Sequence, residues 1–417
     1  MSTLREELAA ARPFSELYTG PNGHSLLPGG FGRAMFAVAP RTPMAVSGHG
    51  CHLVDDAGRT VIDLNNNFTS QIHGNAHPEV TEATQQAVAG GTSFGLPNMH
   101  EVEHAELMLA RLPYMDQIRY TNSGTEAVML AVRLARAATG RDKIVFVRNA
   151  YHGHSDIALI PGGAASRRGI PQNVIDDTIE IGINDFDGLN EAFATRSDQI
   201  AAVIIDTLPN RAGLIGITEA FWRHARDLCT RNSALLVSDE VISLRLAYAG
   251  AGAALGAAPD LMAMGKIIGA GLPVGAVAGP VDLMGLLNSL AGGLEHGGTT
   301  AANPVTMAAG ITTMRLFSAA EVDRLNALGD RLRKSLSTAV EPLGWEVRGQ
   351  GSLFRLFPQG TTPKEAKESQ VAVWWAAYDR GVFLGQNTMG ALSTPMTETI
   401  VDDISDRVAD AVANLEK

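Results

Sequence analysis

Leu235-Leu236-Val237-Ser238-Asp239-Glu240-Val241 is an apolar run that ends on two acids, and 27 positions after Asp239 comes Lys266, in Met264-Gly265-Lys266-Ile267-Ile268-Gly269-Ala270-Gly271. The first stretch reads as a buried strand with a carboxylate at its carboxyl end, where ligands of open parallel sheets bind. The second reads as a lysine in a glycine-rich turn, with glycines that let the backbone approach a ligand closely. Together they point to one chemistry. The lysine holds an aldehyde cofactor as a Schiff base, and the acid holds the protonated ring nitrogen of that cofactor, pyridoxal phosphate. Each residue also has an ordinary reading, since most lysines are solvated and an Asp ending a strand often caps the next turn.

Around these stretches strands and helices alternate. Helical periodicity covers residues 101–112, 127–138, 189–194 and 219–232. Strand-like runs cover Lys143–Val147, 201–206 and 234–238. Alternation of this kind argues for an α/β fold with a parallel sheet covered on both faces. Upstream, Met44-Ala45-Val46-Ser47, Cys51-His52-Leu53-Val54 and Thr60-Val61-Ile62-Asp63-Leu64 flank a turn signal and read as a small antiparallel unit. Downstream come a long amphipathic helix at 319–339, strand-like pieces at 345–347 and 352–357, and a last helix at 401–415. Residues 1–20 read as a polar helix or arm. The chain divides into a 1–50 segment packing with the small domain, a 51–309 large cofactor-binding domain and a 310–417 small domain.

The 417 residues carry a net charge of -11, with 45% hydrophobic and 18% charged residues. An acidic chain has no general attraction to nucleic acid or to anionic membranes. No stretch has the roughly 20 apolar residues of a membrane span. Two cysteines, Cys51 and Cys229, make no disulfide framework, and the charged start lacks a secretory apolar core, so a cytoplasmic setting is expected.

Further motifs fit the same chemistry. Thr121-Asn122-Ser123-Gly124-Thr125-Glu126-Ala127 follows a strand-like Ile118-Arg119-Tyr120 and opens a helix. Free N–H groups, the helix dipole and hydroxyl donors meet there and suit a phosphate; Ser123 or Thr125 also suits a plain N-cap. In Ala150-Tyr151-His152-Gly153-His154 the tyrosine can lie flat on a planar ring. The two histidines lack a third ligand nearby, which argues against a metal. Val241 can pack on the ring face opposite Tyr151. Gly297-Gly298-Thr299-Thr300-Ala301-Ala302-Asn303-Pro304 is either a turn and cap or a second phosphate contact.

Taken with Leu272-Pro273-Val274-Gly275-Ala276, these motifs, in this order, resemble class III pyridoxal-phosphate-dependent aminotransferases, with most similarity to the glutamate-1-semialdehyde aminomutase branch. The resemblance runs from about residue 28 to the end. It implies the type I transferase fold: a large domain with a mostly parallel seven-stranded sheet, a small α/β domain from both chain ends, and a homodimer with sites at its interface. By position, it implies that Ser123, Gly124 and Thr125 bind the phosphate, Tyr151 stacks on the ring with His152 beside it, Asp239 pairs with the nitrogen and Lys266 is the Schiff-base lysine. It also implies that Thr299 reaches the phosphate of the neighbouring subunit.

Two departures from the aminomutase pattern bear on the reaction. Residues 161–171 stand where aminomutases carry a longer gating loop, and a shorter one favours product release and ordinary transamination. Asp206-Thr207-Leu208-Pro209-Asn210-Arg211 stands where the family usually has Glu-Pro, and the glutamate reads as lost. Arg33 matches an arginine that approaches the substrate carboxylate, and a planar guanidinium suits that task; its ordinary reading is a surface arginine. Phe68 matches an active-site aromatic. Arg211 and Arg355 are weaker candidates for a second carboxylate, and Asn65-Asn66-Asn67 and Gln386-Asn387 are candidate polar contacts. The expected reaction is transfer of an amino group between an amino acid, a β-amino acid among the candidates, and a 2-oxo acid such as 2-oxoglutarate. The alternative is an intramolecular aminomutase of the glutamate-1-semialdehyde 2,1-aminomutase type.

Overall fold

The computed structural model describes residues 22–33, 38 and 42–415; the reading of residues 1–20 lies outside them. Three strands, β1 (Ala45–His49), β2 (His52–Asp55) and β3 (Thr60–Asp63), form the antiparallel meander expected upstream. The central sheet follows: β4 (Gln117–Thr121), β5 (Lys143–Val147), β6 (Thr178–Ile181), β7 (Ile200–Ile205), β8 (Leu235–Asp239), β9 (Leu261–Gly265) and β10 (Gly275–Gly279). Their order is β4-β10-β9-β8-β7-β5-β6. Neighbours from β9 to β6 are parallel, and β10 runs against both β9 and β4. Every residue of β7, β9 and β10 is buried, as a sheet covered on both faces requires.

The longer helices are α1 (Pro78–Gly90), α2 (Met99–Arg111), α3 (Gly124–Thr139), α4 (Phe186–Arg196), α5 (Glu219–Arg231), α6 (Pro304–Leu316), α7 (Ala319–Val340), α8 (Pro363–Asp379) and α9 (Glu398–Ala413). Local chemistry sets their starts. Asn98 and Glu101 form a reciprocal capping box that opens α2 two residues before its apolar periodicity. Thr397 caps α9 through the Ile400 N–H, ahead of Val401, the first apolar residue expected there.

A three-stranded sheet, β11 (Trp345–Gln350), β12 (Leu353–Pro358) and β14 (Met389–Ala391), lies between α7 and α8 in sequence and beyond them. Strand β13 (Val382–Phe383) instead pairs in parallel with β3, which joins the two ends of the chain in one four-stranded sheet. Residues such as Val340, Trp374, Val382, Val401 and Val408 are buried in the cluster formed there.

Strands β9 and β10 do not look like strands in sequence. Leu261-Met262-Ala263-Met264-Gly265 and Gly275-Ala276-Val277-Ala278-Gly279 are poor in β-branched and aromatic residues. Packing explains β10: a Cβ on Gly275 would lie 2.0 Å from the Ser123 carbonyl oxygen. The turn that opens α3 presses directly on this strand, so a larger residue has no room.

Candidate active site

The carboxyl ends of β7 and β8, the turn after β9 and the start of α3 border a cavity of about 680 Å³, within the range of small-ligand sites. Arg33, Phe68, Ser123, Gly124, Thr125, Tyr151, His152, Asp239, Val241 and Lys266 all line it.

Asp239, at the end of β8, is buried. One of its oxygens faces His152 Nδ1 at 2.7 Å, and the other accepts the Val241 N–H at 3.1 Å. Since a carboxylate accepts, Nδ1 of His152 carries the proton. Next to Asp239, at the end of β7, lies Asp206, with one oxygen held by the Leu208 N–H at 2.9 Å. Burial, and then the charge of Asp239, push its carboxyl up to about 7. The glutamate read as lost here is absent, and the Asp206 carboxylate lines the same cavity.

Lys266 opens the short turn after β9 with a left-handed backbone, φ +53°. Such a conformation in a non-glycine residue persists only where the surroundings impose it. His104 of α2 is part of what imposes it. Its Nε2–H donates to the Ile268 carbonyl at 2.8 Å, and its Nδ1 accepts from the Tyr120 hydroxyl at 2.8 Å. Burial lowers His104 to about 4, which keeps the ring neutral. From the other side α6 closes in, where a Cβ on Gly310 would meet the Ile268 oxygen at 2.2 Å. The Lys266 Nζ donates to Thr69 Oγ1 at 3.4 Å. Desolvation lowers the amine to about 8, against the opposing pull of Asp239 and Asp206. Thr69 belongs to a run, Asn66 to Thr69, whose residues all have positive φ. Nothing in the residue types of Phe68 or Thr69 announces this strained turn, and sequence reasoning missed both Thr69 and His104.

Ser123 caps α3, its side chain accepting the Glu126 N–H at 3.2 Å, so the ordinary capping role is present. Ser123, Gly124 and Thr125 of this turn line the cavity, and a helix start of this kind suits an anion. Thr125 Oγ1 lies 3.1 Å from His154 Nδ1. A Cβ on Gly124 would fall 2.8 Å from both Val241 methyls. Val241 therefore packs against the helix start, and only glycine fits between them.

Thr299 is exposed and is not among the residues that line this cavity; it borders a smaller one with Phe94 and Leu96. Its neighbour Thr300 reaches the turn before α3 instead, donating to Asn122 Oδ1 at 2.7 Å. At the mouth, Arg33 donates to Asn67 Oδ1 at 3.1 Å and lies 5.7 Å from the Phe68 ring centre. The Arg211 guanidinium carbon lies 4.1 Å from the centre of the Tyr151 ring. Arg355 is not brought to the cavity: it donates to the carbonyls of Asn387 and Asn210. Asn66 is buried and spent on the Ala391 carbonyl, while Asn65, Asn67, Gln386 and Asn387 line the cavity.

A mostly parallel sheet with a hydroxyl-bearing helix start, a buried acid and a desolvated lysine at its carboxyl edge defines a cofactor-type transferase architecture. The chain belongs to the class-III aminotransferases: the family model for aminotransferase class-III matches residues 37–414, and the fold is the type I fold of pyridoxal-phosphate transferases. A glutamate-1-semialdehyde 2,1-aminomutase of Desulforudis audaxviator is 37% identical over 421 residues, covering 95% of this chain and 96% of the relative. Among solved structures, an omega-transaminase from Sphaerobacter thermophilus superposes with TM-score 0.90 at 36% identity, covering 99% and 98% of the two chains. A β-phenylalanine aminotransferase from Variovorax paradoxus superposes with TM-score 0.86 at 28% identity, covering 93% and 91%. Among the described residues no helix is long and apolar enough to cross a membrane.

Proposed function

We propose that the protein binds pyridoxal 5'-phosphate and transfers an amino group between an amino acid, a β-amino acid among the candidates, and a 2-oxo acid. The residues fit the cofactor. The α3 start with Ser123, Gly124 and Thr125 suits its phosphate, Tyr151 and Val241 suit the two ring faces, and Asp239 suits the ring nitrogen. When bound, the cofactor supplies an electron sink for charge left at the substrate carbon. The chain supplies the rest. His152 keeps Asp239 oriented toward the ring position. Lys266, lowered to about 8, can exist as a free amine near neutral pH and so can take and return a proton at Nζ. Asp206 adds a second acid at the cavity floor, poised to hold or release a proton near pH 7.

One observation carries the choice of transamination over isomerisation. The segment after His154 is tied down away from the cavity. The Asn149 N–H donates to the Pro161 carbonyl at 2.7 Å, Arg167 pairs with Glu180 of β6, and Ile157 and Ile160 are buried in the core beside α3. Among the described residues that line the cavity, none comes from 155–176. A site without such a cover does not retain a half-converted molecule. The curated relatives named aminomutases, at 36–37% identity, support the alternative, in which the amino group returns to the same molecule.

The working unit is proposed to be a homodimer, with Thr299 reaching the partner's phosphate site. The test of the reaction is a panel of α- and β-amino donors with 2-oxo acceptors, followed at the cofactor's visible band and by product analysis. Transamination releases a free keto product and needs the acceptor. Isomerisation of a single substrate with no keto product released would overturn it.

A further inference from the structure

Two non-glycine residues with a left-handed backbone meet in the cavity. Lys266 has φ +53° and Thr69 has φ +74°, and the lysine Nζ donates to Thr69 Oγ1 at 3.4 Å. For a β-branched residue such a backbone is an outlier. Strain of this kind persists only where the surroundings impose it, and it collects at functional sites. We propose that Thr69 is the positioning residue of Lys266: its hydroxyl holds the ε-amine in the cavity as that amine gains and gives up its proton. The proposal rests on the transaminase reading above, which uses Lys266 as its proton carrier, and deepens it.

The turn that carries Thr69 is built outward from β3. Asp63, the last residue of that strand, is buried, and its Oδ1 accepts the Asn65 N–H at 3.0 Å and the Asn66 N–H at 2.8 Å. Asn65 Oδ1 accepts the Phe68 N–H at 2.8 Å, and the Asn65 carbonyl accepts the Thr69 N–H at 2.9 Å. The Asn66 side chain donates to the Ala391 carbonyl at 2.6 Å. The left-handed run is thus fixed by β3 on one side and β14 on the other, and it delivers a buried threonine to the lysine. Packing alone does not need the hydroxyl. Its oxygen takes the Lys266 Nζ–H, and among the described residues none accepts its proton. A hydroxyl has one donor and two acceptor lone pairs. It can accept from the ammonium and donate to the lone pair of the neutral amine, so it can hold Lys266 in both protonation states. The bond to the ammonium is charge-assisted and the stronger of the two, so Thr69 favours the protonated amine. Among the charged groups around Lys266, Asp239 and Asp206 also favour it, and Arg245 opposes it.

The experiment compares the full chain as wild type, Thr69→Val and Thr69→Ser. Valine keeps the branch and removes the hydroxyl; serine keeps the hydroxyl and removes the branch. Asp239, Asp206 and Arg245 stay the same in all three, so the differences read the hydroxyl. Without cofactor, reductive methylation of Lys266 against pH, followed by mass spectrometry, gives the titration midpoint of its amine. Thr69→Val should lower the amine's proton affinity about 3- to 10-fold, the size expected for a long hydrogen bond to a charged group, and Thr69→Ser should keep the wild-type value. Capture of added pyridoxal phosphate is then timed by growth of the visible band at about pH 9.5, above the midpoint near 8. There Thr69→Val should capture about 3- to 10-fold more slowly, because nothing aims the neutral amine, and Thr69→Ser should match wild type. A Thr69→Val midpoint within about 0.2 of wild type would overturn the assignment. So would a serine variant that shifts as far as the valine one, which would leave Thr69 a packing residue. If denaturation shows Thr69→Val unfolded, Thr69→Ala takes its place, since alanine and serine differ by the hydroxyl alone. The amine titration needs no cofactor, so the two failures separate. Wild type that captures no pyridoxal phosphate sinks the transaminase reading, while the hold of Thr69 on Lys266 stands or falls on the titration.

Discussion

Lys266 carries an electrostatic cost that can be measured. Its amine is lowered from the ordinary 10.5 to about 8, chiefly by desolvation. Below pH 8 the lysine is protonated in the folded and unfolded states alike, and the folded protein bears the cost in full. Between pH 8 and 10.5 the unfolded chain binds more protons, so stability rises with pH; above 10.5 both states are neutral. Cofactor-free Lys266→Met should therefore be more stable than wild type at pH 7, by on the order of 1 kcal/mol. The gap should close by pH 10.5. Urea titrations at a series of pH values check this, and equal stability at pH 7 would remove the cost. The lysine was legible in sequence because its glycine-rich turn and the acid 27 positions before it belong to one recurring chemistry. Its neighbours Thr69, His104 and Asp206 were not, since each comes from a distant segment and resembles an ordinary polar residue until the sheet brings it in.

Among the elements, the turn after β9 is held by α2 from one side and α6 from the other. The fit leaves no slack at Gly310, where an added Cβ would meet the Ile268 oxygen at 2.2 Å and His104 Nε2 at 2.8 Å. Gly310→Ala should cost about 1–3 kcal/mol by overpacking and should shift the visible band of the holoenzyme, because the displaced turn carries Lys266. Gly285 has no atom within 4 Å of a built Cβ, so Gly285→Ala should change stability by no more than about 0.5 kcal/mol. Denaturation midpoints and absorption spectra of the two variants test the pairing, and equal costs would show that the α6 contact is soft. Helices such as α3 and α7 and the β-branched strands were readable from periodicity. Strands β9 and β10 were not, because close contact with α3 selects glycine and alanine at positions where strand propensity would favour valine or isoleucine.

For the molecule as a whole, the exposed Thr299 and the proposed second copy can be tested together. If Thr299 serves the partner's site, mixing Lys266→Ala chains with Thr299→Ala chains produces hybrids holding one intact site. Activity should then rise above that of either variant alone, toward about a quarter of wild type for random pairing of equal amounts. No recovery after verified subunit exchange would return Thr299 to a role within its own chain, or to none. The sequence by itself determined the chemistry that the floor of the cavity can hold: an acid closing an apolar strand, a lysine in a glycine turn and a hydroxyl-rich helix start are local patterns whose spacing reflects the backbone they need. The tertiary structure alone decided what surrounds that floor. It joined β3 to β13 across the length of the chain, fixed the Arg211 loop through Arg355 and packed residues 155–176 away from the cavity. Those outcomes rest on contacts between residues tens to hundreds of positions apart, and no local pattern records which of several polar side chains a fold will bring face to face.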